Sequence, residues 1–249
     1  MAGAEPFSAT GGPDGALVLH GFTGNPNSVR GVAERLADAG FTVELPLLPG
    51  HGTAIEDLVP VRWADWSAAA EDAYAGLAAR CGRVAVVGLS MGGTLTCWLA
   101  ERHPEISGIV LVNPLVEPPD DGFRDAVRQL RESGTEIAPG IGSDIARPDV
   151  HEVSYDGTPL AAALSLFDGV EEVALGLPEI RCPVLLFSSR EDHVVPPTNG
   201  DLVAASVGGP CERVWLERSY HVATLDYDRD EVEARTVSFV TAAAAGAEP

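Results

Sequence analysis

Val84-Ala85-Val86-Val87, Gly88-Leu89-Ser90-Met91-Gly92 and Gly93-Thr94-Leu95-Thr96-Cys97-Trp98-Leu99-Ala100 follow one another without a break, and their reading decides the fold. The first four residues are apolar and mostly β-branched, the pattern of a central parallel strand covered on both faces. After Gly92, the residues Leu95, Trp98 and Leu99 recur at helical spacing. Between strand and helix lies a Gly-x-Ser-x-Gly turn. A turn this tight crowds the backbone, so glycines two residues either side of the serine leave it room. The serine hydroxyl is then held off the end of the sheet, at a helix start whose free N–H groups favour a developing negative charge. Gly-x-Ser-x-Gly alone also arises as an ordinary turn in a glycine-rich chain. The strand before it and the helix after it make Ser90 a candidate nucleophile.

Working outward, a small edge strand is expected at Pro6 to Ala9. Ala16 to Leu19 is a strong strand that runs into His20-Gly21-Phe22-Thr23-Gly24. A helix from Val29 to Ala39, with Val32, Leu36 and Ala39 on one face, stops at Gly40. Phe41 to Leu45 reads as a strand, Pro46 to Thr53 as a loop containing His51, and Trp63 to Arg80 as a helix. Beyond the serine, Gly108 to Val112 is another buried strand, stopped by Asn113-Pro114. Such alternation predicts a parallel sheet with right-handed crossovers.

The rhythm fails from Leu115 to about Ile180. This stretch has no strong strand, much Pro, Gly and Asp, and two modest helical pieces near Phe123 to Arg131 and Pro159 to Leu175. A structureless loop of that length is implausible inside a compact domain, so it reads as an insert over one end of the sheet. The sheet resumes at Pro183 to Ser188, followed by a short helix around Asp201 to Ser206 and a strand from Glu212 to Leu216. A last helix, Asp230 to Ala245, turns Val232, Val237 and Val240 inward, and the tail after it is expected to fray. With no repeat and no linker, the expectation is a single α/β domain over residues 1–249, with a cap insert at about 115–180.

The chain has 249 residues, of which 45% are hydrophobic, enough for a sizeable core. A formal charge of −21 sets the surface against nucleic acid and anionic membranes, and no stable membrane anchoring is expected. It suits a protein that handles neutral or apolar small molecules. The four cysteines are scattered and contain no C-x-x-C pair, so they suggest neither a zinc site nor a disulfide framework. No metal and no cofactor are expected. The N-terminus lacks a basic patch followed by an apolar run, and no apolar stretch approaches ~20 residues, which points to the cytoplasm.

A serine hydroxyl is a poor nucleophile near neutrality and needs a general base, itself oriented by a carboxylate. In a parallel sheet these partners come from loops at the carboxyl ends of the strands. That rule sorts the histidines. His103 closes a helix at the surface, His151 lies in the insert, and His193 directly follows a strand-end carboxylate and would compete with it. His221, after the last strand, stands where the order serine, acid, histidine places the base. Asp192 follows the preceding strand as the orienting acid should, with Glu191 as its local rival. Asp226 is too near His221 along the chain to reach the far ring nitrogen comfortably. Two backbone N–H groups must receive the oxyanion of a tetrahedral intermediate. Met91, after the nucleophile, supplies one, and Phe22, in the loop after the first strong strand, supplies the other. His20 and His51 read as braces of their loops.

Leu17-Val18-Leu19-His20-Gly21-Phe22-Thr23-Gly24, Pro49-Gly50-His51-Gly52, Gly88-Leu89-Ser90-Met91-Gly92-Gly93, Arg190-Glu191-Asp192-His193 and Ser219-Tyr220-His221-Val222 occur in that order. Together they resemble the α/β-hydrolase family, most closely its bacterial carboxylesterase and monoacylglycerol lipase branch, from about Ala16 to Val240 and most weakly across the insert. The resemblance implies a mostly parallel sheet flanked by helices. It also implies cofactor-free hydrolysis of small neutral or apolar esters by water, with nucleophile Ser90, acid Asp192, base His221 and oxyanion donors Phe22 and Met91. In that branch the insert forms a cap that shapes the acyl pocket. Ile145, Leu166 and Phe167 are candidate lining residues, and packing within the cap explains them equally well. Thioesterase, lactonase, peptidase and carbon–carbon bond hydrolase activities stay open, because fold and triad do not fix the substrate. Polyanionic CoA would be a poor guest for an acidic surface, and Ser90 argues against a dehalogenase, which needs an aspartate nucleophile. A catalytically dead ligand-binding module would have little use for a complete triad and both donors.

Overall fold

The computed structural model describes residues 1–246. Residues 247–249, the end of the tail expected to fray, lie outside the described residues. In chain order the strands are β1 (Phe7–Ala9), β2 (Gly15–Leu19), β3 (Thr42–Leu45), β4 (Val84–Leu89), β5 (Gly108–Val112), β6 (Ile137–Pro139), β7 (Gly157–Pro159), β8 (Val184–Ser189) and β9 (Cys211–Leu216). The helices are α1 (Arg30–Asp38), α2 (Ile55–Leu58), α3 (Trp63–Ala78), α4 (Met91–Arg102), α5 (Asp121–Glu132), α6 (Leu160–Gly176), α7 (Thr198–Ser206) and α8 (Arg229–Ala245).

Seven strands form one sheet in the order β1-β3-β2-β4-β5-β8-β9. Only β1 runs antiparallel to its neighbour. Period-two alternation sends Leu17, Leu19, Val86 and Leu111 to the face packed by α3 and α4, where Trp66 and Leu95 lie. Ala16, Val18, Val87 and Val110 face α1 and α8, meeting Leu36, Val232 and Val240. With both faces covered, the central strands β2, β4 and β5 carry no polar alternation, which is why their runs are continuously apolar. Val237 packs at the edge of the second cluster.

The insert departs from expectation in two respects. First, it contains a small antiparallel ribbon, β6 with β7, that the sequence pattern hides. Its strands have three residues each and end in Pro139 and Pro159, too short and too broken to show a period. Second, α6 does not merely lie over the end of the sheet. Ala162, Leu166, Val170 and Val173 join the main core, and α6 packs on α3 and α4. The missing side chain at Gly169 makes room for the Trp63 indole. The buried Arg124 of α5 ties that helix to α6 through Glu171 at 2.8 Å and through Asp168. No described helix is long and apolar enough to cross a membrane.

Candidate active site

Ser90 sits between β4 and α4 with φ 55° and ψ −118°, a backbone conformation that side chains rarely adopt. The surroundings hold it there. Its N–H donates to the Val112 oxygen at 3.1 Å, and its main-chain oxygen accepts from the N–H groups of Thr94 at 3.1 Å and Leu115 at 3.3 Å. A Cβ on Gly88 would fall on the Gly92 carbonyl, and one on Gly92 would fall on the Leu19 carbonyl. Both motif glycines are therefore demanded by close backbone approach.

His221 Nδ1 donates to Asp192 Oδ2 across 2.8 Å, with the two side chains only 8% and 1% exposed. The other Asp192 oxygen accepts from the N–H groups of Val194 (2.9 Å) and Val195 (2.7 Å), so the carboxylate cannot swing away. Fixing the proton on Nδ1 leaves Nε2 as the acceptor. Ser90 and His221 line one cavity of about 840 Å³. The Ser90 hydroxyl makes no hydrogen bond among the described residues. The rival acid Glu191 is exposed.

Met91 opens α4, so its N–H has no intrahelical acceptor. Gly21 runs against the serine, since a Cβ there would lie 3.4 Å from Ser90 Cβ, and Phe22 follows at the cavity wall. Phe22 and Met91, the expected oxyanion donors, thus each directly follow a residue at the serine turn: Gly21 and Ser90 itself.

The other histidines occupy local roles. His20 Nδ1 donates to the Gly21 oxygen at 2.9 Å, and its Nε2 accepts from the Leu48 N–H at 3.1 Å. His51 Nδ1 donates to the Pro49 oxygen at 3.0 Å. Burial, with the neighbouring His51, pushes His20 down to about 3, and burial pushes His51 down to about 4. Both rings are neutral braces. His103 lies between Glu71 and Glu105, and His193 Nδ1 meets Asp144 Oδ1 at 2.8 Å.

Burial alone would lower the pKa of His221, but Asp192, Glu152 and Asp144 outweigh it and raise the value. Glu152 and Asp144 both come from the insert and line the cavity. Burial pushes the Glu152 carboxyl up, opposed by the hydrogen bond that Ser28 Oγ donates to it at 2.6 Å. Asn113, Asp144, Glu152 and Asp226 are site residues that the sequence reading passed over or set aside. Only Asn113 carried a usable signal, standing after the carboxyl end of a strand as Asp192 and His221 do. Asp226 is buried and accepts N–H bonds from Ala146, Arg147, Tyr220 and Tyr227.

Leu166 and Phe167 line the cavity, and Ile145 does not. The bonds from Ala146 and Arg147 to Asp226 draw the chain at 145–147 against the segment between β9 and α8. Ile145 therefore packs against the core cluster containing Val222 and Leu216. Part of the cavity lining is apolar: it includes Phe123 and Val127 of α5 and Leu166 and Phe167 of α6. The Phe123 and Phe167 rings lie 6.0 Å apart.

A family model described as serine aminopeptidase, S33, matches residues 13–228. The thermostable monoacylglycerol lipase of Bacillus sp. (strain H-257) is 46% identical over 243 residues, 96% of this chain and 95% of that relative. The carboxylesterase of Bacillus subtilis (strain 168) is 28% identical over 239 residues, 95% of this chain and 96% of its own. Among solved structures, one from work on LipS and LipT, two metagenome-derived lipolytic enzymes, superposes with a TM-score of 0.92. It is 41% identical and covers 97% of this chain and 98% of its own.

Proposed function

Because this chain belongs to the α/β-hydrolase family described as serine aminopeptidase, S33, we propose that it hydrolyses short- to medium-chain carboxylic esters, monoacylglycerols foremost, through Ser90, His221 and Asp192. It is an enzyme of the lipase and esterase kind. The observation that carries the finer reading is the buried 2.8 Å pair of His221 and Asp192 at the cavity that Ser90 also lines.

In this reading Ser90 Oγ attacks the ester carbonyl carbon while His221 Nε2 takes the hydroxyl proton. The N–H groups of Phe22 and Met91 receive the oxyanion, a contribution worth ~10² to 10³ in rate per donor in comparable sites. The carbon–oxygen bond to the alcohol breaks, and the alcohol leaves with the proton from His221. Water then attacks the acyl-enzyme, His221 takes its proton and returns it to Ser90 Oγ, and the carboxylic acid departs. Asp192 keeps the imidazole in the required tautomer and stabilises the imidazolium that forms in each half.

A monoacylglycerol joins an apolar chain to an alcohol with free hydroxyls. The cavity offers the Phe123, Val127 and Phe167 wall for the chain and the Glu152 carboxylate as a hydrogen-bond acceptor for a hydroxyl. Substrate and water are the only partners proposed, with no nucleic acid, cofactor or stable membrane anchoring. The four free cysteines support a reducing, cytoplasmic setting.

Titrating acid release from monoacylglycerols of increasing chain length, beside p-nitrophenyl esters and an acyl-CoA, tests the substrate class. The expected result is turnover of short and medium monoacylglycerols with little on acyl-CoA. A preference for acyl-CoA would replace the reading with a thioesterase.

A further inference from the structure

We propose that Asp144, supplied by the cap insert, is a positioning residue of the hydrolytic site that holds the loop carrying the base against the loop carrying the acid. The inference rests on the proposed roles of Ser90, His221 and Asp192. Three donors converge on this one carboxylate. The His221 N–H reaches Oδ2 at 3.1 Å, the His193 N–H reaches the same oxygen at 3.1 Å, and His193 Nδ1 reaches Oδ1 at 2.8 Å. A single oxygen thus joins the residue that is the base to the residue directly after the acid. The Asp144 side chain is only 12% exposed, so water does not readily replace these bonds.

The connection runs in both directions. The main-chain oxygen of Asp144 accepts from Val222 at 3.1 Å. Asp226, on the loop of the base, accepts from Ala146 at 2.7 Å and Arg147 at 3.1 Å, both in the insert. Asp144 and Asp226 therefore bind each other's loops reciprocally, and the insert is built into the catalytic constellation. A cap that only covered the cavity would need no such contact with the backbone of the base. A displacement of about 1 Å in a reacting group costs roughly 10²-fold in rate, so a bridge that fixes the acid–base distance bears directly on turnover.

The charged groups that act on the His221 ring are Asp192, after β8, and Glu152 and Asp144, both from the insert. Each raises the His221 pKa. Removing the charge of Asp144 leaves less to hold a proton on the ring, so the free base persists to lower pH.

The experiment is a pH series of kcat and KM on p-nitrophenyl butyrate for the parent chain, Asp144→Asn and Asp144→Ala, with thermal midpoints recorded alongside. Asp144→Ala is expected to lose about 10²-fold in kcat with KM little changed, and Asp144→Asn, which keeps an accepting oxygen, to recover to within about tenfold of the parent. In both variants the acid limb of kcat/KM moves to lower pH. A merely structural role would lower the midpoint and leave the limb in place, which overturns the proposal, as does an unchanged kcat in Asp144→Ala. If that variant does not fold, Asp144→Asn decides by kcat and acid limb together: it keeps one accepting oxygen where the carboxylate has two, so a several-fold fall in kcat is expected and a parental kcat overturns the proposal. Failure here is distinct from failure of the underlying reading: activity surviving in Ser90→Ala sinks the reading itself, whereas a Ser90-dependent parent with indifferent Asp144 variants sinks only the bridge.

Discussion

The side-chain amide of Asn113 donates to the main-chain oxygen of His221 across 2.8 Å, joining the end of β5 to the loop that carries His221. The same amide nitrogen reaches Ser189 Oγ at 2.9 Å, and the amide oxygen accepts the Ser189 N–H at 2.8 Å. Asn113 does this from φ 43°, a left-handed conformation that asparagine tolerates better than most residues. Asn113→Gly keeps the backbone freedom and removes the clamp, stranding buried partners. The expected cost is about 1–3 kcal/mol in urea unfolding. A fall of roughly tenfold in kcat on a p-nitrophenyl ester is expected as His221 loosens. A variant with parental turnover would show that the clamp is not needed for chemistry.

Two glycine replacements should differ sharply. In Gly92→Ala the new methyl meets the Leu19 carbonyl, whereas around Gly76, within α3, a methyl meets nothing within 4 Å. Gly92→Ala is expected to lose more than about 3 kcal/mol or fail to accumulate as folded protein. Gly76→Ala should gain up to about 1 kcal/mol from helix propensity. Urea melts of the two side by side check the contrast.

Acid should weaken the fold through His20 and His51. Their folded pKa values, about 3 and about 4, lie below the 6.5 of a free imidazole. The stability they contribute is therefore complete above pH ~6.5 and is lost as pH falls toward the folded values, at up to about 1.4 kcal/mol per pH unit for each ring. His221, shifted upward, works in the opposite sense and offsets part of this. His20→Asn should lower the urea midpoint at pH 7 and flatten its decline between pH 7 and pH 5. A slope as steep as the parent's would remove His20 from the account.

The strand, turn and helix around Ser90 were legible because each is a local pattern: an apolar run, two glycines forced by close approach, and a helical period. The positions of Asp192, His221 and Phe22 at strand ends followed from the parallel topology those patterns imply. What stayed hidden is non-local. Asp144 looks like any loop aspartate until the fold brings together segments 49 and 77 residues away in the chain. Asp226 was weighed only as an acid for the His221 ring, while its use is to accept backbone N–H groups. Ile145 stands close to the insert's cavity-lining residues in sequence, yet its neighbours' bonds to Asp226 turn it toward the core. The β6–β7 ribbon is too short for any period to register.

Glu152 should distinguish substrates by their alcohol. Glu152→Gln keeps the size and the contact with Ser28 but removes the charge from the cavity. Monoacylglycerol turnover is expected to fall about tenfold relative to that of a p-nitrophenyl ester of equal chain length, whose leaving group has no hydroxyl to bind. Equal losses on the two substrates would assign Glu152 to the tuning of His221 alone.

The most direct measurement is mass-spectrometric mapping of a fluorophosphonate adduct on the parent chain and on Ser90→Ala, with ester hydrolysis followed in the same samples. A single adduct on Ser90, appearing as activity disappears, together with an unlabelled and inactive Ser90→Ala of unchanged thermal midpoint, is the predicted result. A folded Ser90→Ala that still turns over ester, or a parent that loses activity with its adduct elsewhere, would contradict the account at its root.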